Sequence, residues 1–256
     1  MRFLRSLWTD LRQLFSWKLA AAILVTGLTY IFAGFSFMYE QADVWYIVGL
    51  AVWGSTAYYT IYLLPVFAFS SQIAADWQTH ATPYWIIRTG VVRYTVSKMI
   101  ASAISGFLTH FLGVLILILY FAPSMPLFLQ DHTTTIYSLD WMRKGYVIRG
   151  FIGFMIDKSI AAALVAALGM MVSVYFIHPY VAIASPIAVL LTLSRLTYKF
   201  RFGLFGILNP SYWTNTIDTA DSAAEALLAK MILLIVMMTL FTIIGVAGMK
   251  RRVAHA

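Results

Sequence analysis

The interval Ser70–Lys98 reads SSQIAADWQTHATPYWIIRTGVVRYTVSK and lies between two apolar runs, Val44–Phe69 and Met99–Phe121. A helix needs about 20 apolar residues to cross a bilayer, and both flanks reach that length. The interval is therefore a loop joining two membrane spans, and it carries a periodicity of its own. Thr82-Pro83 reads as a helix start, with Thr as N-cap and Pro at the first helical position, where its missing N–H costs nothing. Tyr84, Ile87, Val91 and Tyr94 then recur at helical spacing, with Arg88 and Thr89 on another face. Ahead of them, Ile73–Trp77 forms a second short amphipathic piece. Such a surface suits a soluble partner that presses on the membrane.

The rest of the chain agrees with a membrane setting. Of its 256 residues 61% are hydrophobic and 11% charged, against about 25% charged in soluble domains. The fold expected is an all-α integral membrane protein, a single domain over 1–256. There is no cysteine, which excludes disulfides, thiol catalysis and thiolate metal sites. The net charge of +8 forms no basic stripe on a polar surface, so no nucleic-acid partner is expected.

Residues 1–17, MRFLRSLWTDLRQLFSW, put Phe3, Leu4, Leu7, Trp8, Leu11, Leu14 and Phe15 on one stripe and Arg2, Arg5, Asp10, Arg12 and Gln13 opposite. That pattern predicts an interfacial amphipathic helix rather than a signal peptide, whose apolar core would be shorter. About six spans follow, at 18–38, 44–69, 99–121, 150–176, 180–196 and 227–249. Pro123 and Pro126 stop the third, Pro186 interrupts the fifth, and Lys250-Arg251-Arg252 give a basic stop after the sixth. Between spans, Ile136–Arg149 predicts a short interfacial helix with Tyr137, Trp141 and Tyr146 as anchors, and Asn209-Pro210-Ser211-Tyr212-Trp213 a turn beside aromatic anchors.

An even number of spans puts both termini on one side. The termini and the Ser70–Lys98 loop hold ten of the eighteen basic residues against Asp10 and Asp76, while the remaining basic and acidic residues cancel. By the positive-inside rule that side is cytoplasmic, and the protein is expected in the cell inner (plasma) membrane, in contact with its lipids.

No nucleotide-binding loop, zinc-ligand spacing or nucleophile elbow occurs in the sequence, so the chain is not expected to be an enzyme and holds no cofactor or metal of its own. Asp157 and Lys158 are the most notable ionisable residues inside an expected span. Such residues are costly and often functional. Lys158 can also snorkel to the nearby interface, and neighbours on a helix point about 100° apart and do not face each other. A local role and a role in gating both stay open, with Pro186 a further gating candidate. Small residues at Ala101/Ser105, Ser102/Gly106, Ala162/Ala166 and Gly169/Ser173 permit close helix contact, within one chain in preference to a dimer face.

The layout resembles the permease subunit of an ABC-2 type transporter: an N-terminal amphipathic helix, six spans, a structured first cytoplasmic loop and a polar interval before the last span. In that family the loop carries an acidic residue, an amphipathic helix and a basic–aromatic–Lys run; here Asp76, Tyr84–Ile87 and Arg93-Tyr94…Lys98 stand in matching places. Asp76 departs from the usual Glu, and Thr79-His80 occupy a spot where Gly is common. The resemblance implies a cytoplasmic coupling helix at Ile73–His80 docked on a separate ABC ATPase subunit that binds ATP and Mg, with Ile73, Asp76, Trp77, Thr79, His80, Arg88 and Arg93 as coupling candidates. It also implies a second copy of the chain, or a related permease, across the translocation path. The cargo it implies is an amphipathic peptide or hydrophobic compound (drug, toxin or bacteriocin), exported from the cell. A stand-alone ion-coupled transporter or channel is the alternative; inverted repeats and a midplane charge cluster would mark it, and neither is evident in the sequence. A non-transporting scaffold or immunity protein is a weaker one.

Overall fold

In hydrocarbon a backbone must satisfy its own polar groups, and a helix does so within one segment. The apolar runs of this chain fold accordingly, and the polar intervals between them are helical as well. The computed structural model describes residues 2–38, 42–53, 60–129, 138–197 and 222–255. Its elements are α1 (Arg2–Leu14), α2 (Trp17–Phe35), α3 (Val44–Trp53), α4 (Thr60–Phe69), α5 (Gln72–Gln78), α6 (Ala81–Thr89), α7 (Val91–Phe121), α8 (Ser138–Arg143), α9 (Val147–Tyr175), α10 (Pro179–Thr197) and α11 (Ala223–Ala254), with no strand among the described residues.

Among the described residues four helices are long and apolar enough to cross a membrane: α2, α7, α9 and α11. They correspond to the expected first, third, fourth and sixth spans. The expected second span comprises α3 and α4, each 10 residues long, and residues 54–59 between them lie outside the described residues. The fifth corresponds to α10, a shorter apolar helix with Pro186 inside it. The turn expected at Asn209–Trp213 also lies outside the described residues, as does Tyr137.

Three boundaries differ from expectation for local reasons. The helix expected to start at Thr82-Pro83 starts at Ala81, with His80 before it in the left-handed conformation (φ 55°). Pro83 thus falls at the third helical residue, where the N–H still has no intrahelical acceptor. The periodic run Tyr84–Tyr94 is two helices, because Gly90 at φ 84° separates α6 from α7. In consequence α7 begins eight residues before the expected span, and Lys98 lies two turns inside it. At the other end of the chain α11 runs through Lys250-Arg251-Arg252 to Ala254. Basic residues at a helix C-terminus complement its dipole and do not end it.

α9 is the central helix, burying every residue from Asp157 to Met170. Its contact with α7 is built from the small residues. A Cβ on Gly106 would lie 2.5 Å from the Ala162 carbonyl oxygen and 2.6 Å from the Ala166 Cβ. The Ser70 and Ser102 hydroxyls converge on the Ala166 carbonyl, at 2.8 and 2.9 Å, and lie 2.9 Å from each other. The small-residue pattern therefore serves packing within the chain. Two turns further along α7, Gly113 receives Thr26 of α2.

α11 runs alongside α9 in the same direction, with Lys230 beside Asp157 and Gly248 beside Tyr175. α7 runs opposite. The N-terminal helix α1, the α5–α6 loop and the C-terminal turns of α9 and α11 consequently share one end of the bundle: Lys98 contacts Asp10 and Asp76 there, and Arg252 lies over the Trp77 ring.

Candidate functional site

Two polar groupings sit inside this apolar bundle. The first is at the end shared by α1, α5 and α7. Helical spacing puts Asp10 and Gln13 on one face of α1, Gln72 and Asp76 on one face of α5, and Tyr94, Ser97 and Lys98 on one face of α7. The three faces meet at Lys98, which is 3% exposed. Its ammonium lies 3.0 Å from Asp10 Oδ1 and 3.2 Å from Asp76 Oδ2 and donates to Gln13 Oε1 at 3.3 Å. The rings of Phe69 on α4 and Tyr94 flank it at 5.4 and 5.8 Å. Ser97 donates to Asp10, Tyr94 donates to Asp76 Oδ2 at 2.8 Å, and Gln72 donates to Asp76 Oδ1 at 2.8 Å. Both carboxylates thus have the cation and hydroxyl or amide donors that buried charges require.

Sequence reasoning set Asp10 on the polar face of a surface helix. α1 instead turns Asp10 inward and leaves Leu4 and Trp8 exposed. Asp76, singled out as a coupling residue, is buried in the same junction, and Ile73 is fully buried beside it. The remaining coupling candidates do not converge. Trp77 is half-buried beneath Arg252 at 5.5 Å. Thr79 and His80 are exposed at the tip of α5. Arg88 is exposed on α6, donating to Tyr84 Oη at 2.7 Å, and Arg93 is exposed on the first turn of α7.

The second grouping lies within the spans. Asp157 and Lys158 on α9 are 1% and 2% exposed, and Lys230 on α11 is fully buried. Lys230 Nζ lies 3.2 Å from Asp157 Oδ1, and Lys158 Nζ lies 3.4 Å from Asp157 Oδ2. The expectation that adjacent residues cannot pair fails because the four-carbon lysine stem folds its ammonium back toward the carboxylate. The expectation that Lys158 snorkels fails too: the central helix has no free face at that level. Next to this group, His110 on α7 lies with Nδ1 3.4 Å from the Ser159 hydroxyl and its ring edge-on to Tyr30 of α2, centroids 5.7 Å apart. A mid-span charge cluster therefore exists where none was read from the sequence. Pro186, the third gating candidate, is buried within α10 and is not part of it.

Neither grouping holds metal-ligand geometry: among the described residues no three His, Asp or Glu side chains come together as a metal site. Chemically, the first grouping is a joint between helices and the second is an ion pair between two spans. Comparison with family models, with curated proteins and with solved structures gives no match for this chain.

Proposed function

We propose that the chain is the membrane-spanning permease subunit of an ABC-2 type exporter, driven by a separate ABC ATPase that binds ATP and Mg, and moving amphipathic peptides or hydrophobic compounds out of the cell. In this reading α3 with α4 forms the second span and α10 the fifth, giving six. The end bearing α1, α5 and α6 faces the cytoplasm, and a second copy or a related permease completes the translocation path. One observation carries the proposal: Lys98 joins the loop helix α5 and the surface helix α1 to the membrane helix α7 through one buried cation. A push on the exposed tip of α5 then reaches α7 through an ion pair that resists stretching, because separating buried charges is costly. Rigid elements driven by a two-state partner are a known means of switching. The test is purification in mild detergent from the native membrane. A stoichiometric ATPase accompanying the chain supports the reading, and a chain that transports with no such companion ends it.

The buried Asp157–Lys158–Lys230 cluster favours a second reading, a stand-alone ion-coupled transporter. Transport by the chain alone in proteoliposomes, driven by a proton or sodium gradient, distinguishes it.

A further inference from the structure

α11 makes polar contacts with the bundle towards its two ends, and between them it packs Leu233, Met237 and Phe241 into the apolar core. At its C-terminal end the Tyr175 hydroxyl donates to the Ile244 carbonyl at 2.9 Å, Arg252 donates to the Tyr175 carbonyl at 2.7 Å, and a Cβ on Gly248 would meet the Tyr175 ring at 2.6 Å. At the opposite end stands the Lys230–Asp157 pair. Between them α7, α9 and α11 enclose an open cleft of about 380 Å³, with Ile100, Phe107, Ala163, Leu234 and Met238 among its walls. Thr239 is also there, but its hydroxyl is spent on the Ile235 carbonyl. The cleft offers a neighbour only hydrocarbon. In a bilayer, lipid tails replace apolar helix–helix contacts with no hydrophobic loss, so the apolar contacts hold α11 by packing alone. The polar contacts at its ends add hydrogen bonds and charge pairing that lipid cannot replace.

Those two ends differ. The C-terminal one uses backbone acceptors and a close ring contact. The other is an ion pair whose carboxylate has a second cation in place. The two lysines address different oxygens, Lys230 at Oδ1 and Lys158 at Oδ2. When Lys230 withdraws, Asp157 keeps Lys158, a partner on its own helix. The step does not strand the carboxylate, which is what makes breaking a buried pair expensive. Lys230 in turn lies about 10 Å from the Ala223 end of α11 by helical rise, a distance its stem shortens by snorkelling.

We propose that Asp157 and Lys230 form a latch that holds the first turns of α11 against α9, with Lys158 as the resting partner of Asp157 when the latch is open. α11 then pivots about its Tyr175–Arg252 anchor and widens the cleft toward the lipid. The device is independent of what drives it, ATPase or ion gradient.

The chain has no cysteine, so spin labels can be placed uniquely at Ile152→Cys on α9 and Ile232→Cys on α11, both at exposed positions. The full chain in lipid nanodiscs is measured by pulsed dipolar spectroscopy. One short-distance population is expected. Lys230→Met adds a population longer by about one helical turn, roughly 5 Å, as does Asp157→Asn. The exchanged pair Asp157→Lys with Lys230→Asp returns the single short population. Lys158→Met removes the open-state partner and leaves the short population alone, so it tests the latch even if Lys230→Met fails to fold. Unchanged distances in both Lys230→Met and Asp157→Asn, or a lengthening of about one helical turn in Lys158→Met, overturn the proposal.

Discussion

The ammonium of Lys98 on α7 lies 3.2 Å from the Asp76 carboxylate on α5, at the centre of a junction that also holds Asp10 of α1 at 3.0 Å. Removing one member of a buried ion group leaves the others uncompensated and costs about 3–5 kcal/mol. Lys98→Met is therefore expected to lower stability by that amount, read as a fall in the detergent-solubilised melting temperature. The triple change Asp10→Asn, Asp76→Asn, Lys98→Met removes every formal charge of this ion group and is expected to recover most of the loss. A Lys98→Met protein as stable as the parent would show that the junction bears no load.

The α7–α9 contact makes a sharper prediction because its obstacle is backbone. An added methyl at Gly106 would meet the Ala162 carbonyl at 2.5 Å, an atom that cannot rotate aside. Gly106→Ala is expected to cost about 1–3 kcal/mol, the usual range for overpacking. Gly49→Ala is the control: it lies in α3, where an added Cβ meets nothing within 4 Å, and replacing a helical glycine there is expected to be neutral or to stabilise by up to about 1 kcal/mol. Equal effects of the two changes in thermal unfolding would contradict the close approach of α7 and α9.

How much of this was legible follows from particular residues. Apolar length announces α2, α7, α9 and α11 directly, and the small residues around Ala101–Gly106 and Ala162–Ala166 announce a close contact. The burial of Lys98 and Lys230 was hidden for one shared reason. Each stands near the edge of an apolar run, where a lysine ordinarily reaches the headgroups. Their depth depends on where the helix begins, and both helices begin earlier than the apolar run does, at Val91 and Ala223. The partners add a second obstacle: Asp10 is 88 residues from Lys98 and Asp157 is 73 from Lys230. No local periodicity encodes which faces of distant helices meet. The break at Gly90 is the opposite case, since a glycine with φ 84° after an apolar repeat is a local stop signal that the periodicity of Tyr84–Tyr94 concealed.

His80 supplies a backbone prediction. It adopts φ 55°, ψ 19° between α5 and α6, a conformation that costs an L-residue roughly 1–2 kcal/mol and glycine little. His80→Gly is expected to change stability by less than about 1 kcal/mol, in the stabilising direction if strain relief exceeds the added chain entropy. His80→Val, β-branched and unsuited to positive φ, is expected to destabilise by about 1–2 kcal/mol. Unfolding midpoints of the three proteins check the order, and a valine variant as stable as the glycine one would place the turn elsewhere.

The proposed ATPase partner can be tested by separating its contact surface from the joint behind it. Thr79 and His80 are exposed at the tip of α5, whereas Asp76 is buried one turn earlier against Lys98 and Tyr94. If the tip is the docking surface, Thr79→Arg removes shape and charge complementarity there without touching the junction. It is expected to reduce the ATPase recovered with the chain at least about tenfold, equivalent to about 1.4 kcal/mol of binding, with little change in melting temperature. Asp76→Asn acts on the other side of the joint. It keeps the tip intact and removes the charge that ties α5 to Lys98, so ATPase recovery is expected to persist while cargo export falls relative to ATP hydrolysed. Loss of recovery in Asp76→Asn together with normal recovery in Thr79→Arg would reverse these roles and move the docking surface away from α5.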